Sequence, residues 1–205
     1  MTGETFFQLG KQWTTIKIGM VQMKIYTIGH SSNTKEQFLD MLKMAEIQYV
    51  SDVRAFPYSR KYPHFNGDQM KEWLGKEKIE YIHLPMLGGR RGTSGVVGSD
   101  LNSGWNNRSF HNYADYTLTE EFKEGIEVLK AQAKEKTTVY MCSERHPARC
   151  HRLIISNWLA ANDWDVQHII TNSRDDHDVI GHELGKWGAV PIIEADGTVV
   201  YPKDI

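Results

Sequence analysis

From residue 24 onward, short runs of β-type residues alternate with segments of helical periodicity, and this alternation constrains the fold more than any other feature of the chain. Strands separated by helices are typical of a parallel sheet that helices cover on both faces. The sequence therefore predicts an α/β domain with a mainly parallel sheet and Rossmann-like or flavodoxin-like layering. The predicted strands are 24–28, 49–53, 81–84, 137–141 and 165–170.

Helices are predicted between these strands, because apolar side chains recur there at helical spacing. Asn33 is a candidate N-cap, with Glu36 completing a capping box. Asp68 is a candidate cap for a short helix that turns Trp73 inward. The apolar residues over 110–136 predict one long helix, and a further helix follows the fourth strand.

The chain of 205 residues has the length of a single domain with extensions. We expect an N-terminal leader or extension over 1–23, the α/β domain over 24–171 and a C-terminal extension over 172–205. Asp196 and Gly197 lie between two β-type runs of the last segment, which predicts a C-terminal β-hairpin.

Composition excludes several classes of protein. The chain is 40% hydrophobic and carries a formal net charge of −2, which excludes a disordered chain and a globally basic nucleic-acid coat protein. No apolar run approaches the roughly 18 residues of a transmembrane helix, so no membrane association is expected. Residues 1–23 lack the apolar core of a secretory signal, and the two cysteines, Cys142 and Cys150, are too few for a disulfide framework. The sequence therefore predicts a cytoplasmic protein with reduced thiols.

Polar residues gather at the ends of four predicted strands. Ligands of parallel α/β sheets bind beyond the carboxyl ends of the strands, so we expect these clusters to converge on one site. The candidate residues are His30 and Ser31 for the first strand, Asp52, Arg54 and Ser59 for the second, His83, Gly88, Gly89, Arg90 and Arg91 for the third, and Cys142, Glu144, His151 and Arg152 for the fourth.

These clusters are rich in cations, although the chain as a whole is slightly acidic. Three Lys or Arg residues and no acid lie over 54–64, and three Arg residues against one Glu lie over 142–152. Because arginine binds phosphate and carboxylate through paired hydrogen bonds, the pattern favours an anionic small molecule or a nucleic acid as the partner. The arginines predicted to hold it are Arg54, Arg90, Arg91 and Arg152.

Helix N-termini near 31–33 and 148–149 are expected to add backbone donors to this anion site. The alternative interpretation gives the arginines no ligand. In that case they are solvated, or they form internal ion pairs with Asp52 and Glu144.

The segment from Cys142 to Arg152 is open to three interpretations. Cys142 is a candidate nucleophile, although six residues separate it from Arg149, one more than in phosphatase-like or sulfurtransferase-like loops. Cys142, Cys150 and His151 are weak candidates for metal ligands, because their spacing is not a common zinc pattern. Both cysteines also fit the small buried hydrophobic role that is common for intracellular cysteine. The sequence requires no cofactor and is compatible with a metal.

Proton transfer has four candidates in these clusters. His30 and His151 are candidates because histidine titrates near neutrality, and Asp52 and Glu144 are the carboxylates nearby. An internal ion pair with Arg54 explains Asp52 equally well.

The segment 86–108 is a long polar loop without periodicity, and a loop of that length is commonly functional. Trp105 and Tyr113 lie at or after its end and are candidates for an aromatic wall on which a base stacks. Packing in the core is the alternative for both.

Several of these motifs occur together in one order along the chain. They are Ile25-Tyr-Thr-Ile-Gly-His-Ser31, Asp52-Val-Arg54, His83-Leu-Pro85 with Leu87-Gly-Gly-Arg90, and Met141-Cys-Ser-Glu144 with Cys150-His-Arg152. In this order they resemble the bacterial and archaeal family called domain of unknown function 488, over about 24–170. The resemblance implies that the polar clusters form a site and indicates no substrate.

The sequence thus predicts an enzyme of the hydrolase or transferase class. Its substrate is expected to carry phosphate and to be nucleotide-like or a nucleic acid, bound at the carboxyl ends of the strands. Two alternatives stay open: a non-catalytic module that binds nucleotides or nucleic acid, and a metal-dependent enzyme with Cys and His ligands.

Overall fold

The computed structural model describes residues 22–171 and 176–203, together with the backbone of two short strands near the N-terminus. These strands are β1, Phe6–Leu9, and β2, Gln12–Thr15, and they pair antiparallel. The sequence predicted a leader or extension over 1–23 and no strands there, and apart from these strands and residues 22 and 23 that segment lies outside the described residues.

A six-stranded sheet forms the centre of the protein, in the order β5-β4-β6-β3-β7-β8. Its first five strands are parallel, and β8 pairs antiparallel with β7 at one edge. The mainly parallel α/β sheet predicted from the sequence is therefore confirmed. The strands are β3, Lys24–Gly29; β4, Tyr49–Asp52; β5, Glu80–His83; β6, Thr138–Cys142; β7, Asp165–Thr171; and β8, His177–Gly181.

Five helices accompany the described part of this sheet. They are α1, Lys35–Met44; α2, Gly67–Lys76; α3, Arg108–Tyr116; α4, Glu120–Glu135; and α5, Arg152–Ala161.

Several predicted helix boundaries were wrong. The capping box of α1 is formed by Thr34 and Gln37, one residue after the predicted pair of Asn33 and Glu36. Asn66 is the N-cap residue of α2, so Asp68 lies inside its first turn.

The predicted single helix over 110–136 is two helices. The break lies at Thr119, whose side-chain oxygen accepts a hydrogen bond from the backbone N–H of Phe122 and caps α4. A threonine that satisfies a free N–H group stabilises a new helix start, and here it outweighs the continuous apolar spacing.

Apolar side chains of alternate strand residues fill a core on each face of the sheet. On one face, Ile25 and Tyr140 pack with residues of α3, α4 and α5. On the other, Ile28 and Met141 pack with residues of α1 and α2. The helices thus cover both faces, and the carboxyl ends of β3, β4, β5 and β6 lie at one edge of the sheet.

The C-terminal segment is part of the same body. β9, Ile192–Ile193, pairs antiparallel with β10, Val199–Val200, around Gly197, whose φ of 86° favours glycine. This confirms the predicted hairpin. Tyr201 follows it, is fully buried, and accepts a hydrogen bond from Asn157 of α5. Among the described residues, no helix has the length and apolar character needed to cross a membrane.

Candidate functional site

A cavity of about 340 Å³ opens at the carboxyl ends of the central strands. It combines a floor of sulfur and imidazole with arginines and aromatic rings on its walls. It is lined by Arg54, Ala55, Phe56, Tyr58, Gly89, Arg90, Ser109, Phe110, Cys142, Ser143, Glu144, Arg149, Cys150 and His151.

A second, larger hollow of about 910 Å³ adjoins it and shares Tyr58, Ser143, Glu144 and Arg149 with it. The candidates His30, Ser31 and Ser59 line this hollow, with Lys61, Arg145 and His146. Around the two hollows together, five lining residues are Arg or Lys and one, Glu144, is acidic. The described lining is therefore cationic.

The strand-end clusters converge as predicted. His30 and Arg54, which follow β3 and β4, lie side by side with 3.4 Å between Nε2 and Nη1. Gly89 comes from the loop after β5, and it packs against the ring of His151, beside Cys142 at the end of β6. Four separate parts of the chain thus meet at one edge of the sheet.

Arg54 is buried and is held by a buried carboxylate. Its Nε donates to the two Asp52 oxygens at 2.9 and 3.0 Å, and its Nη2 donates to the carbonyl of Phe65. The Tyr81 hydroxyl donates to the same carboxylate at 2.7 Å. Asp52 therefore positions Arg54 and does not line the cavity. This arrangement matches the internal ion pair that was the alternative interpretation of Asp52.

His30 is neutral in this environment. Burial, followed by the positive charge of Arg54, lowers the pKa of its imidazole to about 4. Its Nδ1 lies 3.0 Å from the carbonyl oxygen of Ser31, which can only accept, so the proton is on Nδ1. The lone pair of Nε2 therefore points towards Arg54.

The two cysteines and His151 form a cluster, hereafter the Cys–Cys–His cluster. The Sγ atoms of Cys142 and Cys150 lie 3.9 and 3.5 Å from Nδ1 of His151. The hydrogen bond between the sulfurs, followed by burial, holds the pKa of Cys142 well above its ordinary value. Burial alone would raise the pKa of Cys150 as well, but the hydrogen bond from Cys142 and the positive charge of Arg152 hold this pKa well below its ordinary value.

The orientation of His151 is fixed from three sides. Its Nε2 lies 2.9 Å from the carbonyl oxygen of Val53, so Nε2 carries the proton and Nδ1 presents its lone pair to the sulfurs. The ring of Tyr113 packs edge-on against it at 4.9 Å. On the third side a Cβ at Gly89 would lie 2.6 Å from Cγ of His151, so only glycine fits there.

Two of the predicted anion-binding arginines hold backbone instead. Arg91 donates to the carbonyls of Pro85, Met86 and Gly88. Arg152 is 1% exposed and donates to Thr27 Oγ1 and to the Glu144 carbonyl. These donors fix the loops beneath the cavity and are not available to a ligand.

Arg90 and Arg149 are the exposed cations of the cavity wall. Within the described part of the chain neither forms an ion pair with a carboxylate. Phe56 and Tyr58 lie on the rim and are 65% and 67% exposed, and the guanidinium of Arg90 lies 5.3 Å from the centre of the Phe56 ring.

Arg149, Phe56 and Tyr58 were not among the site residues predicted from the sequence. A usable signal was present: the pair of aromatic residues flanks Pro57 in a loop that directly follows a strand end.

The family model described as domain of unknown function DUF488 matches residues 34–159. The chain belongs to the DUF488 family. No curated protein matches the chain. The match spans α1 to α5 and includes Arg54, Gly89, Cys142 and His151, so the floor of the cavity lies within the family domain.

Other predicted site residues of this DUF488 protein lie away from the cavity surface. His83 donates through Nε2 to the carbonyl of Arg54 at 2.8 Å. Tyr113 is buried and donates to the carbonyl of Leu87, and Trp105 is 8% exposed and stacks on Phe110. Gly88 lies against Ala55, where a Cβ would come 2.9 Å from the Cα atom. These residues lie behind the cavity lining and support it.

The expected backbone donors at helix N-termini are not there. α1 begins at Lys35, beyond 31–33, and 147–149 is a single 3-10 turn. The N–H groups of Ala148 and Arg149 donate to Nδ1 and the carbonyl oxygen of His146. The N–H groups of Ala148 and Arg149 are therefore already used within the loop.

Proposed function

We propose that this DUF488 protein is an enzyme of the hydrolase or transferase class that acts on a phosphate-bearing, nucleotide-like substrate. One observation carries the proposal: Arg90 and Arg149, without carboxylate partners in the described chain, line the same cavity as the Cys–Cys–His cluster. Groups suited to bind an anion and groups able to react with it thus share one open cavity.

The charge of the cavity supports a phosphate-bearing ligand. Arg90 and Arg149 present planar donor forks that match phosphate oxygens, and Arg54 adds a fixed positive charge at the floor. Asp52 compensates Arg54, so the exposed pair provides the attraction for an incoming anion. Glu144 is the one acidic residue among those that line the cavity.

The rim supports a planar group attached to the phosphate. Exposed aromatic side chains beside cations are the arrangement on which nucleobases stack in proteins that bind single-stranded nucleic acid. Phe56 and Tyr58 provide such rings at the mouth, and Arg90 lies over one of them. A nucleotide-like substrate places its base on this rim and its phosphate between the arginines.

The Cys–Cys–His cluster favours an enzyme over a module that only binds. A binding site needs the arginines and the aromatic rings, but it gains nothing from two sulfurs and an imidazole on its floor. Perturbed thiol pKa values at the bottom of a cleft are typical of catalytic sites. We therefore assign the reaction to this cluster.

Fluorescence anisotropy with a labelled mixed-sequence oligonucleotide tests binding, and mass spectrometry of the oligonucleotide and of nucleoside monophosphates tests turnover. We expect Arg90→Ala and Arg149→Ala each to weaken binding roughly 10-fold or more. Lys134→Ala removes the same charge from an exposed position on α4 and is expected to leave binding unchanged.

Cys150→Ser separates the two functions. It is expected to retain binding and to abolish product formation. Binding by the wild type without any product contradicts the enzyme and favours the non-catalytic module. Failure of every one of these probes to bind contradicts the proposal as a whole.

A further inference from the structure

The three groups of the Cys–Cys–His cluster are arranged like ligands around a common centre. Cys142 Sγ, Cys150 Sγ and His151 Nδ1 all lie within 4.8 Å of one another. Each comes from a different backbone setting: Cys142 ends β6, Cys150 is the extended residue after a 3-10 turn, and His151 is the N-cap residue of α5. The extended Cys150 followed by the helical His151 lets two adjacent side chains contribute to one point.

We propose that Cys142, Cys150 and His151 bind a single soft divalent transition metal ion, of which Zn²⁺ is the best match, with a fourth position open to the cavity. Thiolate and imidazole are the ligands that zinc prefers. The metal site stands independently of the substrate, whereas its role in the reaction rests on the proposed function.

The distances support this assignment. With Zn–S of about 2.3 Å and Zn–N of about 2.0–2.1 Å, tetrahedral angles place sulfur and nitrogen ligand atoms about 3.6 Å apart. The observed separations from His151 Nδ1 are 3.5 Å for Cys150 and 3.9 Å for Cys142. An ion therefore fits with sub-ångström movement of the ligands.

The imidazole is already in the tautomer that a metal requires. Zinc-bound histidines almost always donate their second ring N–H to a carbonyl or carboxylate, which fixes the ring. His151 makes this bond from Nε2 to the Val53 carbonyl, so the lone pair of Nδ1 points at the sulfurs. Gly89 and Tyr113 hold the ring in this orientation.

The coordination number indicates a reactive ion more than a structural one. Structural zinc sites are closed by four protein ligands, whereas catalytic sites have three and keep one position open. All three groups line the cavity, and the described chain offers no fourth His, Cys, Asp or Glu ligand within the cluster. Both sulfurs bind as thiolates, so the protons that they carry are released to solvent.

The test uses the full-length protein, purified without chelator under reducing conditions. Elemental analysis is expected to find one equivalent of zinc per chain. The apo protein, titrated with Co²⁺, is expected to show a sulfur-to-cobalt charge-transfer band and the visible bands of a tetrahedral ion, which Zn²⁺ then removes. A protein with less than about a tenth of an equivalent of transition metal that also shows no such band overturns the proposal.

Variants locate the site. Cys150→Ser and His151→Gln are each expected to weaken Co²⁺ binding at least about 100-fold, the upper end of the loss for residues that merely support ligands. His111→Gln, on α3 outside the cluster, is expected to bind as the wild type does. Unchanged binding in either ligand variant overturns the proposal.

Two further measurements distinguish failure of the metal site from misfolding of a variant and from failure of the proposed function. The Cd²⁺-loaded wild type, measured by ¹¹³Cd NMR, is expected to report two sulfur ligands, and this readout does not depend on a variant that folds. Oligonucleotide binding that depends on Arg90 and Arg149, found in a protein that neither carries metal nor takes up Co²⁺, overturns the metal site and leaves the proposed function intact.

Discussion

Gly89 lies against the imidazole of His151 so closely that a Cβ at position 89 would come 2.6 Å from Cγ and 2.9 Å from Cε1 of the ring. The loop after β5 thereby confines the imidazole, which lies beside the sulfur of Cys142 at the end of β6. A glycine in the loop of one strand thus fixes a side chain that follows another.

Gly89→Ala is expected to displace the ring of His151 and to destabilise the fold by about 1–3 kcal/mol, the usual cost of overpacking. Gly92→Ala is the matched control, because nothing lies within 4 Å of a Cβ at that position. Urea denaturation measures the free energy of unfolding, and NMR of the imidazole nitrogens reports the ring. Equal behaviour of the two variants contradicts the fixed orientation of His151.

Arg54→Ala is expected to destabilise the protein by about 3–5 kcal/mol, because it leaves the buried carboxylate of Asp52 without its cation. The double variant Asp52→Ala/Arg54→Ala removes both charges and is expected to lose less stability than the single variant Arg54→Ala. Urea denaturation of both proteins provides the comparison. A single variant within about 0.5 kcal/mol of the wild type would show that the ion pair does not stabilise the fold.

The pH dependence of stability is expected to reflect buried neutral histidines. Burial, followed by the charge of His182, lowers the pKa of His168 to about 2, and burial lowers that of His182 to about 4. Both groups bind protons in the unfolded chain near pH 6.5 but not in the folded one. Stability is therefore highest above pH 6.5 and falls as the pH drops towards 4, by about 1.4 kcal/mol per pH unit for each proton.

His182→Gln tests this contribution, because its amide can still donate to Oδ1 of Asn157 as Nε2 of His182 does. Urea denaturation between pH 7 and pH 4 is expected to give a shallower slope for the variant than for the wild type. An unchanged slope would show that His182 takes up no proton on unfolding in that range.

The binding of anions is expected to depend on ionic strength. Arg90 and Arg149 are exposed, so salt screens their attraction for a charged ligand. Titration calorimetry with inorganic pyrophosphate at two salt concentrations is expected to show weaker binding at the higher one. The dependence is expected to shrink in Arg149→Ala and to persist in Lys134→Ala, and identical salt dependence in all three proteins contradicts the role of the arginine.

Five strands of the sheet were predictable because each is a short β-type run. Their shared site was predictable because the carboxyl ends of parallel strands lie at one edge of the sheet. This placed His30, Arg54, Gly89 and Cys142 together without coordinates. β8 escaped prediction because His177–Gly181 is a short edge strand with mostly exposed side chains. The break before α4 depends on the hydrogen bond from the Phe122 N–H to the hydroxyl of Thr119. The spacing of apolar residues carries no information about such a local bond.

The identity of the free arginines was not predictable, because it depends on which carbonyl groups the loops bring near. Arg91 and Arg152 donate hydrogen bonds to loop carbonyls, and Arg54 pairs with Asp52. Arg90 and Arg149 stay available to a ligand. Nothing in the sequence distinguishes the two available arginines from the other three. The same holds for Trp105, which the C-terminal segment buries through Tyr201 and Gly188, residues far along the chain.

The most direct measurement is the position of a bound phosphate mimic in a crystal of the wild-type protein soaked with tungstate, located by its anomalous scattering. We predict a tungsten peak inside the cavity, with oxygens within hydrogen-bond distance of both Arg90 and Arg149 and the Cys–Cys–His cluster beside it. Tungstate bound elsewhere on the protein, with the cavity lacking a peak, would contradict it.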